Sequence, residues 1–414
     1  MQRYGGVVIR MQLNSSKNEN ISYVLGDRET VEQMMLTSAL TPFHETVVNY
    51  LNEVSRILMA DKNAKAYPDI ITFAFWIRKA SSIQLCQRFY QKDGNFHIGR
   101  GILFHIAPSN VPVNYAYSLV AGLLTGKANI VRIPSRDFPQ INIINDALKE
   151  ALKLISYKML REYICLVRYG REQEVNDWFS SIADVRIIWG GDATIAEIRK
   201  SSLAPRAGEI TFADRFSIAV IDSDNYLKNG DKKRIAEDFY NDTYLTDQNA
   251  CTSPRIVVWV GKEKETAKKE FWDNLYELVE RKYKFQPIQG INKLTSSYLA
   301  AVSQDNIKVE PHDDNLLIRV KVPRLFDGLM DLKDNSGYFF EYDCADILEL
   351  RGLCDDKRCQ TIAYVGDKEM LFPLLQTGIK GVDRIVPIGK TMDFDLIWDG
   401  YNLFERLTRQ IDCQ

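Results

Sequence analysis

Residues 101–112 read Gly-Ile-Leu-Phe-His-Ile-Ala-Pro-Ser-Asn-Val-Pro, and this stretch sets the fold. The run Gly101–Ala107 is short, apolar and closed by Pro108, which predicts a buried strand. Pro108 and Pro112 bracket a loop around Asn110. Val113–Thr125 then repeats its apolar residues at helical spacing and stops at Gly126, a natural C′ residue. The same alternation continues outward. Ala128–Ile133, Tyr163–Val167 and Val185–Ile188 predict strands, and Phe138–Ser156 and Glu172–Ile182 predict helices between them. Buried strands alternating with amphipathic helices make βαβ units and a parallel sheet covered on both faces. Ser217–Ile221 is expected to complete this first lobe.

Towards the N-terminus the pattern is helical. Thr41-Pro42 is expected to cap a helix carrying Val47, Val48, Leu51, Val54 and Leu58, and a second helix is expected over about Ile70–Phe89. Towards the C-terminus a second α/β lobe is expected from Asp222. It has a helix over Lys232–Tyr240, a loop around Cys251, a strand over Arg255–Val260 and a helix from Thr266 to about Tyr283. Strands follow at Leu316–Val320, Thr361–Val365 and Arg384–Val386. The expected organisation is therefore an N-terminal helical part (1–95), a cofactor lobe (96–221), a catalytic lobe (222–390) and a C-terminal tail (391–414). The tail is expected to pack on the cofactor lobe or at a subunit interface. Two α/β lobes with parallel-rich open sheets imply a cleft between them for a ligand.

Composition narrows the function. The chain has 414 residues, 53 basic against 55 acidic, for a net charge of −2, so no electrostatic ground exists for nucleic acid or an anionic membrane. No run is long and apolar enough to span a bilayer, and the N-terminus lacks a signal-like apolar core, so a cytoplasmic protein is expected. Seven scattered cysteines read as reduced thiols. The four histidines have no metal-ligand spacing, and no metal is expected.

Three groups of residues could carry chemistry. Cys251, in Thr246-Asp-Gln-Asn-Ala-Cys-Thr-Ser-Pro254, has small polar neighbours, and Pro254 keeps a helix from running through it. A thiolate nucleophile needs such backbone donors, although a lone cysteine is most often a small buried core residue. Asn110 follows a strand of an open sheet, where its amide could donate to an oxyanion or merely shape the turn. Arg132-Ile-Pro-Ser135-Arg136 and Gly190-Gly191-Asp192 close two later strands. A hydroxyl and guanidiniums suit a ribose and its phosphate, and a glycine turn opening a helix suits a pyrophosphate. βα turns are also Gly- and Ser-rich for steric reasons, and no GxGxxG occurs.

In chain order these pieces resemble the aldehyde dehydrogenase superfamily. More closely they are similar to the LuxC-type acyl-CoA reductases, the fatty-acid reductase component of bacterial luminescence systems. Phe104–Pro112 resembles the superfamily's asparagine loop, Ile133-Pro-Ser135 its cofactor strand, Gly190-Gly191-Asp192 its later phosphate turn and Gln248–Pro254 its nucleophile loop. The similarity covers roughly residues 95–400. It implies that Cys251 carries an acyl group, that Asn110 and the Cys251 N–H hold the oxyanion, and that Glu341 positions the nicotinamide ribose. The glutamate with which aldehyde-oxidising relatives activate water is missing from Ile210–Ser217, Glu209 being only close by. That loss fits a reductase. The implied reaction turns an acyl-CoA or acyl-protein into an aldehyde with NADPH, NADH being the alternative. The implied assembly is a homo-oligomer that could also meet an acyl-protein synthetase. Alternatives are a CoA-acylating aldehyde dehydrogenase, an acyl-phosphate reductase, or a non-catalytic scaffold for an acyl-activating partner.

Overall fold

The computed structural model describes residues 20–91, 95–109 and 111–412. The chain divides into two compact units. The first runs to Phe212 and resumes at Phe404; the second is Ala213–Leu403.

In the first unit the elements are β1 (Ser22–Leu25), α1 (Arg28–Met34), α2 (Glu45–Ala60), α3 (Pro68–Trp76), α4 (Lys79–Cys86), β2 (Phe96–Gly99), β3 (Ile102–Ile106) and α5 (Asn114–Leu124). There follow β4 (Ala128–Arg132), α6 (Pro139–Lys153), β5 (Ile164–Arg168), α7 (Gln173–Ile182), β6 (Val185–Trp189), α8 (Asp192–Ile198) and β7 (Gly208–Phe212). The main sheet has the order β1-β5-β4-β3-β6-β7, parallel except for β1. Its central strands β3 and β6 are buried along their whole length, as strands covered on both faces must be. Successive connections run from β3 out to β5, then return to the other side of β3 for β6. The strand order therefore reverses between β3 and β6, and in open α/β sheets such a switch point is where the carboxyl edge opens for a ligand.

The second unit contains β8 (Phe216–Asp222), α9 (Ser223–Lys228), α10 (Lys232–Thr243), β9 (Pro254–Val260), α11 (Lys264–Lys282), α12 (Pro287–Ser303), β10 (Lys308–Pro311), β11 (Ile318–Lys321) and β12 (Tyr338–Asp343). It continues with α13 (Arg351–Asp355), β13 (Cys359–Val365), α14 (Phe372–Gln376), β14 (Arg384–Pro387), β15 (Ile397–Trp398) and β16 (Tyr401–Asn402). The main sheet is β10-β11-β12-β9-β8-β13-β14, with only β10 antiparallel. Alternate residues feed two cores. Ile218, Val220, Ile256 and Val258 pack on one face; Ala219, Ile221, Val257 and Trp259 pack on the other.

The last segment, α15 (Leu403–Leu407) and β17 (Thr408–Ile411), returns to the first unit. There β17 pairs antiparallel with β2, and Phe404 stacks among Phe43, Tyr90 and His97.

Three local expectations change. Thr41-Pro42 is not the cap of α2: the chain there hooks onto the α5 end through Phe43 N–H to the Leu124 carbonyl, and His44 Nδ1 caps α2 by accepting from Thr46 N–H. The expected helix over 70–89 breaks at Ile77-Arg78 into α3 and α4. The strand at 216–222 belongs to the second sheet, between β9 and β13, so the boundary between units falls at 212/213 instead of 221/222. Residues 391–403 stay with the second unit, and only 404–412 of the tail join the first.

Candidate active site

Cys251 sits at the amino edge of the second sheet, three residues before β9. The loop leading to it is set by two consecutive left-handed residues, Asp247 (φ 50°) and Gln248 (φ 59°). Gln248 is fully buried, and its amide ties the loop to β12. Its Nε2 donates to the Pro254 and Tyr338 carbonyls at 2.9 and 3.1 Å, and its Oε1 accepts from the Gly337 and Tyr338 N–H groups at 3.0 and 3.3 Å. A buried amide that uses every donor and acceptor repays the strain of its backbone. On the other side Ser217 Oγ donates to the Cys251 carbonyl at 2.7 Å. Thr252 Oγ1 lies 3.1 Å from Met392 Sδ. The Cys251 loop is thus pinned to the starts of β8, β9 and β12.

At the amino edge of a parallel sheet the leading N–H groups point outward, and one of them serves the thiol. The Arg215 backbone N–H faces Cys251 and favours its thiolate. The Arg215 side chain is locked in place: its guanidinium pairs with Asp383, stands 3.8 Å from Asp399, and donates to the Lys357 and Cys359 carbonyls at 2.9 and 3.0 Å. Asp399 in turn accepts from Gln360 Nε2, and Gln360 Oε1 lies 3.5 Å from Ser217 Oγ. Beneath the loop, the buried Arg255 donates to the Asp334 carbonyl at 2.8 Å and to Asn335, while its Nε has no hydrogen bond.

These surroundings set the resting state of Cys251. Burial pushes its thiol above the ordinary value, and the charges of Asp399 and Asp214 add to that; the Arg215 N–H and the Arg255 charge pull the other way. The free protein therefore holds mostly thiol at neutral pH. Burial also lifts the Asp399 carboxyl to about 6, against the pull of Arg215 and Gln360.

The expected cofactor residues gather at the carboxyl edge of the first sheet. Arg132, ending β4, stacks over the Tyr169 ring at 4.5 Å and donates to the Tyr169 and Gly170 carbonyls. Ser135 and Arg136 are exposed just beyond, Arg136 lying over Phe138 at 4.9 Å. Gly190 follows β6 and donates to the Phe212 carbonyl at 3.0 Å. Gly191 is the N-cap of α8, with open space where a side chain would stand, and Asp192 is the first residue of that helix. Asn110 lies outside the described residues. Arg168, which the sequence reading passed over, ends β5 with Nε and Nη2 buried and without hydrogen bonds.

Glu341 is placed differently. It lies on β12, 2% exposed, with Oε1 accepting from the indoles of Trp259 (2.9 Å) and Trp272 (2.8 Å) and Oε2 facing Arg319 at 3.4 Å. Its carboxylate is consumed by the core, which disfavours ribose binding. Gly337-Tyr-Phe-Phe-Glu341 is the start of a buried strand, a signal its aromatic run carried. Glu209 is also occupied: Arg186 and Arg199 bind it at 2.5 and 2.7 Å, and together they outweigh burial and hold its carboxyl below the usual range. His105 is a core residue, between Ser118 Oγ (2.7 Å) and Asn129 Oδ1 (3.0 Å), and burial drives its pKa down to about 3. Among the described residues no group of ligands could hold a metal ion.

Comparison with known proteins decides the family. The sequence profile of acyl-CoA reductase (LuxC) matches residues 81–308, more than half of the chain. The chain belongs to the LuxC acyl-CoA reductase family. It is accordingly an oxidoreductase acting on acyl and aldehyde substrates. No curated protein matches its sequence. Solved structures share the aldehyde dehydrogenase fold at low identity. The methylmalonate-semialdehyde dehydrogenase of Oceanimonas doudoroffii is 11% identical with a TM-score of 0.65, over 94% of this chain and 90% of that one. The NAD-dependent benzaldehyde dehydrogenase of Corynebacterium glutamicum is 14% identical with a TM-score of 0.62, over 92% and 87%. A 3,6-anhydro-L-galactose dehydrogenase in complex with NAP is 11% identical with a TM-score of 0.60, over 95% and 96%. No helix among the described residues of this LuxC-family chain is long and apolar enough to cross a membrane.

Proposed function

We propose that the chain reduces an acyl thioester, acyl-CoA or an acyl-protein, to an aldehyde through a covalent Cys251 acyl-enzyme. The observation that carries this reading is the half-buried Cys251 thiol on a pinned loop, facing the Arg215 N–H at the amino edge of a parallel sheet. Cys251 loses its proton and attacks the thioester carbonyl; Asn110 and the Cys251 N–H receive the oxyanion, and the CoA or carrier thiol leaves with a proton. After reduction, the Cys251 thiohemiacetal collapses, giving the aldehyde and returning the thiol. Glu209 is tied up by two arginines, so the segment where aldehyde-oxidising relatives keep their water-activating glutamate supplies no free glutamate. The acyl-enzyme therefore awaits reduction.

The carboxyl edge of the first sheet suits a nicotinamide dinucleotide. The N-terminus of α8 has no side-chain cap and open space at Gly191, which fits a pyrophosphate. Asp192 beside it would repel a phosphate and suits a ribose hydroxyl better. Ser135, Arg136 and the unpaired edge of Arg168 offer a hydroxyl and positive charge at the neighbouring strand ends, which favours NADPH over NADH. Among the structural neighbours, one is named as NAD-dependent and one was solved with NAP. When bound, the cofactor supplies the hydride; the chain supplies position and donors.

The test is intact-mass analysis of the protein after exposure to a panel of acyl-CoAs without reductant, with acyl phosphate and aldehyde plus CoA as rival substrates. One acyl adduct, on the Cys251 peptide, is expected, and it should disappear in Cys251→Ala. An adduct of equal yield in that variant would overturn the assignment. A chain that neither acylates nor binds NADPH would instead support the scaffold reading.

A further inference from the structure

Helix α12 is built the wrong way round. Its buried residues are Lys293, Ser297 and Ala300. On the opposite side stand Ile288, Ile291, Leu294, Tyr298, Leu299 and Val302, with Tyr298 64% and Val302 81% exposed. At 100° per residue the six fall on one face, diametrically opposite the buried three, and Thr295 lies at its centre. The inward face is held by polar bonds: Lys293 Nζ donates to the Ser336 carbonyl at 2.8 Å and to the Asn315 carbonyl. A soluble helix normally puts its apolar stripe on the core, so a five-turn helix with the reverse arrangement signals a covered surface.

We propose that this face of α12 is an isologous contact between two copies of the chain, with the two helices packed antiparallel across a two-fold axis near Thr295. Two observations select a second copy. The apolar stripe runs the whole length of α12, from Ile288 to Val302, so a second copy of the same helix can lie along it end to end. The face also carries no charge: the one ionisable group of α12 other than Tyr298 is Lys293, which points inward. An uncharged stripe meets its own copy without like-charge repulsion, as a two-fold contact requires. Flanking positions Gln289, Asn292, Ser296 and Ser303 are neutral as well. A helix lying on an anionic membrane would have lysine or arginine there.

The test uses the full chain in sedimentation at micromolar concentrations. The wild type is expected to sediment as a dimer or a multiple of one. Ile291→Glu with Tyr298→Glu is expected to halve that mass while leaving the circular dichroism spectrum and thiol reactivity unchanged. Thr295→Cys should form a disulfide-linked dimer under mild oxidation, because a residue near a two-fold axis meets itself. A wild type that stays a single chain, or an assembly whose mass the double variant leaves unchanged while Thr295→Cys fails to cross-link, overturns the proposal. So does a wild type that binds phosphatidylserine vesicles through this face in place of self-association.

Discussion

At the residue scale the proposed chemistry turns on the surroundings of one thiol. Burial and two carboxylates oppose the Cys251 thiolate, while one backbone N–H and a buried guanidinium support it. Alkylation of the free protein by iodoacetamide is therefore expected to rise with pH through a midpoint above the ordinary thiol value of about 8.5. Arg255→Met should move that midpoint further up, Asp214→Asn should bring it down, and Arg255→Lys should restore most of the loss. Identical midpoints across the three variants would show that these charges do not reach the sulphur. The sequence showed the cysteine and its small neighbours but not this surrounding. Arg215 meets Asp383 across 168 residues, and Ser217 meets Gln360 across 143, so no local pattern announces them. Glu341 misled for the converse reason: it resembles an acid that positions the nicotinamide ribose, whereas in this chain two tryptophan indoles hold it inside the core.

At the element scale the strands and helices of the first sheet were legible because each is a local pattern. The strand β3 and the helix α5 with its Gly126 terminus lie within a residue or two of their expected bounds. What failed was partner choice. β8 is a buried apolar strand wherever it goes, and only its pairing with β9 and β13 puts it in the second sheet. Helix α12 went unread although Ile288, Ile291, Leu294, Tyr298 and Val302 recur at helical spacing; that this stripe faces solvent is what no local pattern shows. The Cys251 loop is tied to β12 through Gln248, whose amide spans the loop, β9 and β12. Gln248→Ala strands two buried N–H groups and removes a donor from two carbonyls. The expected cost is about 2–4 kcal/mol in chemical denaturation, with acylation of Cys251 slowed. A loss under about 0.5 kcal/mol would mean that water replaces the amide.

At the scale of the whole chain the two units should answer acid in opposite directions. His105, in the first unit, is neutral in the fold with its pKa depressed to about 3 by burial. Its contribution holds above the unfolded value of about 6.5 and is lost as pH falls from there towards 3. Asp242, in the second unit, is raised by burial to about 7, although Gly389 and Thr391 N–H groups donate to it at 2.6 and 3.2 Å. Its contribution is present below about 4 and lost as pH rises through 7. Hydrogen exchange at about pH 5 against about pH 8 should therefore show the first unit loosening and the second tightening in acid. Asp242→Asn should reduce the response of the second unit alone, leaving the part carried by Asp399, whose carboxyl burial lifts to about 6. Parallel responses of the two units would refute the assignment. Phe404→Ala, which empties a buried site among Phe43, Tyr90 and His97, is expected to cost about 3–5 kcal/mol, with the faster exchange confined to the first unit.

The return of residues 404–412 to the first unit also orders events on the ribosome. The nascent chain delivers all of Ala213–Leu403 before it delivers β17. The second unit can fold as soon as it emerges, whereas the first must wait with the β2 edge unpaired and the aromatic seat of Phe404 uncovered. An open edge beside exposed rings is an aggregation hazard. Chaperone demand during synthesis should therefore fall on the half of the protein that is translated first and completed last.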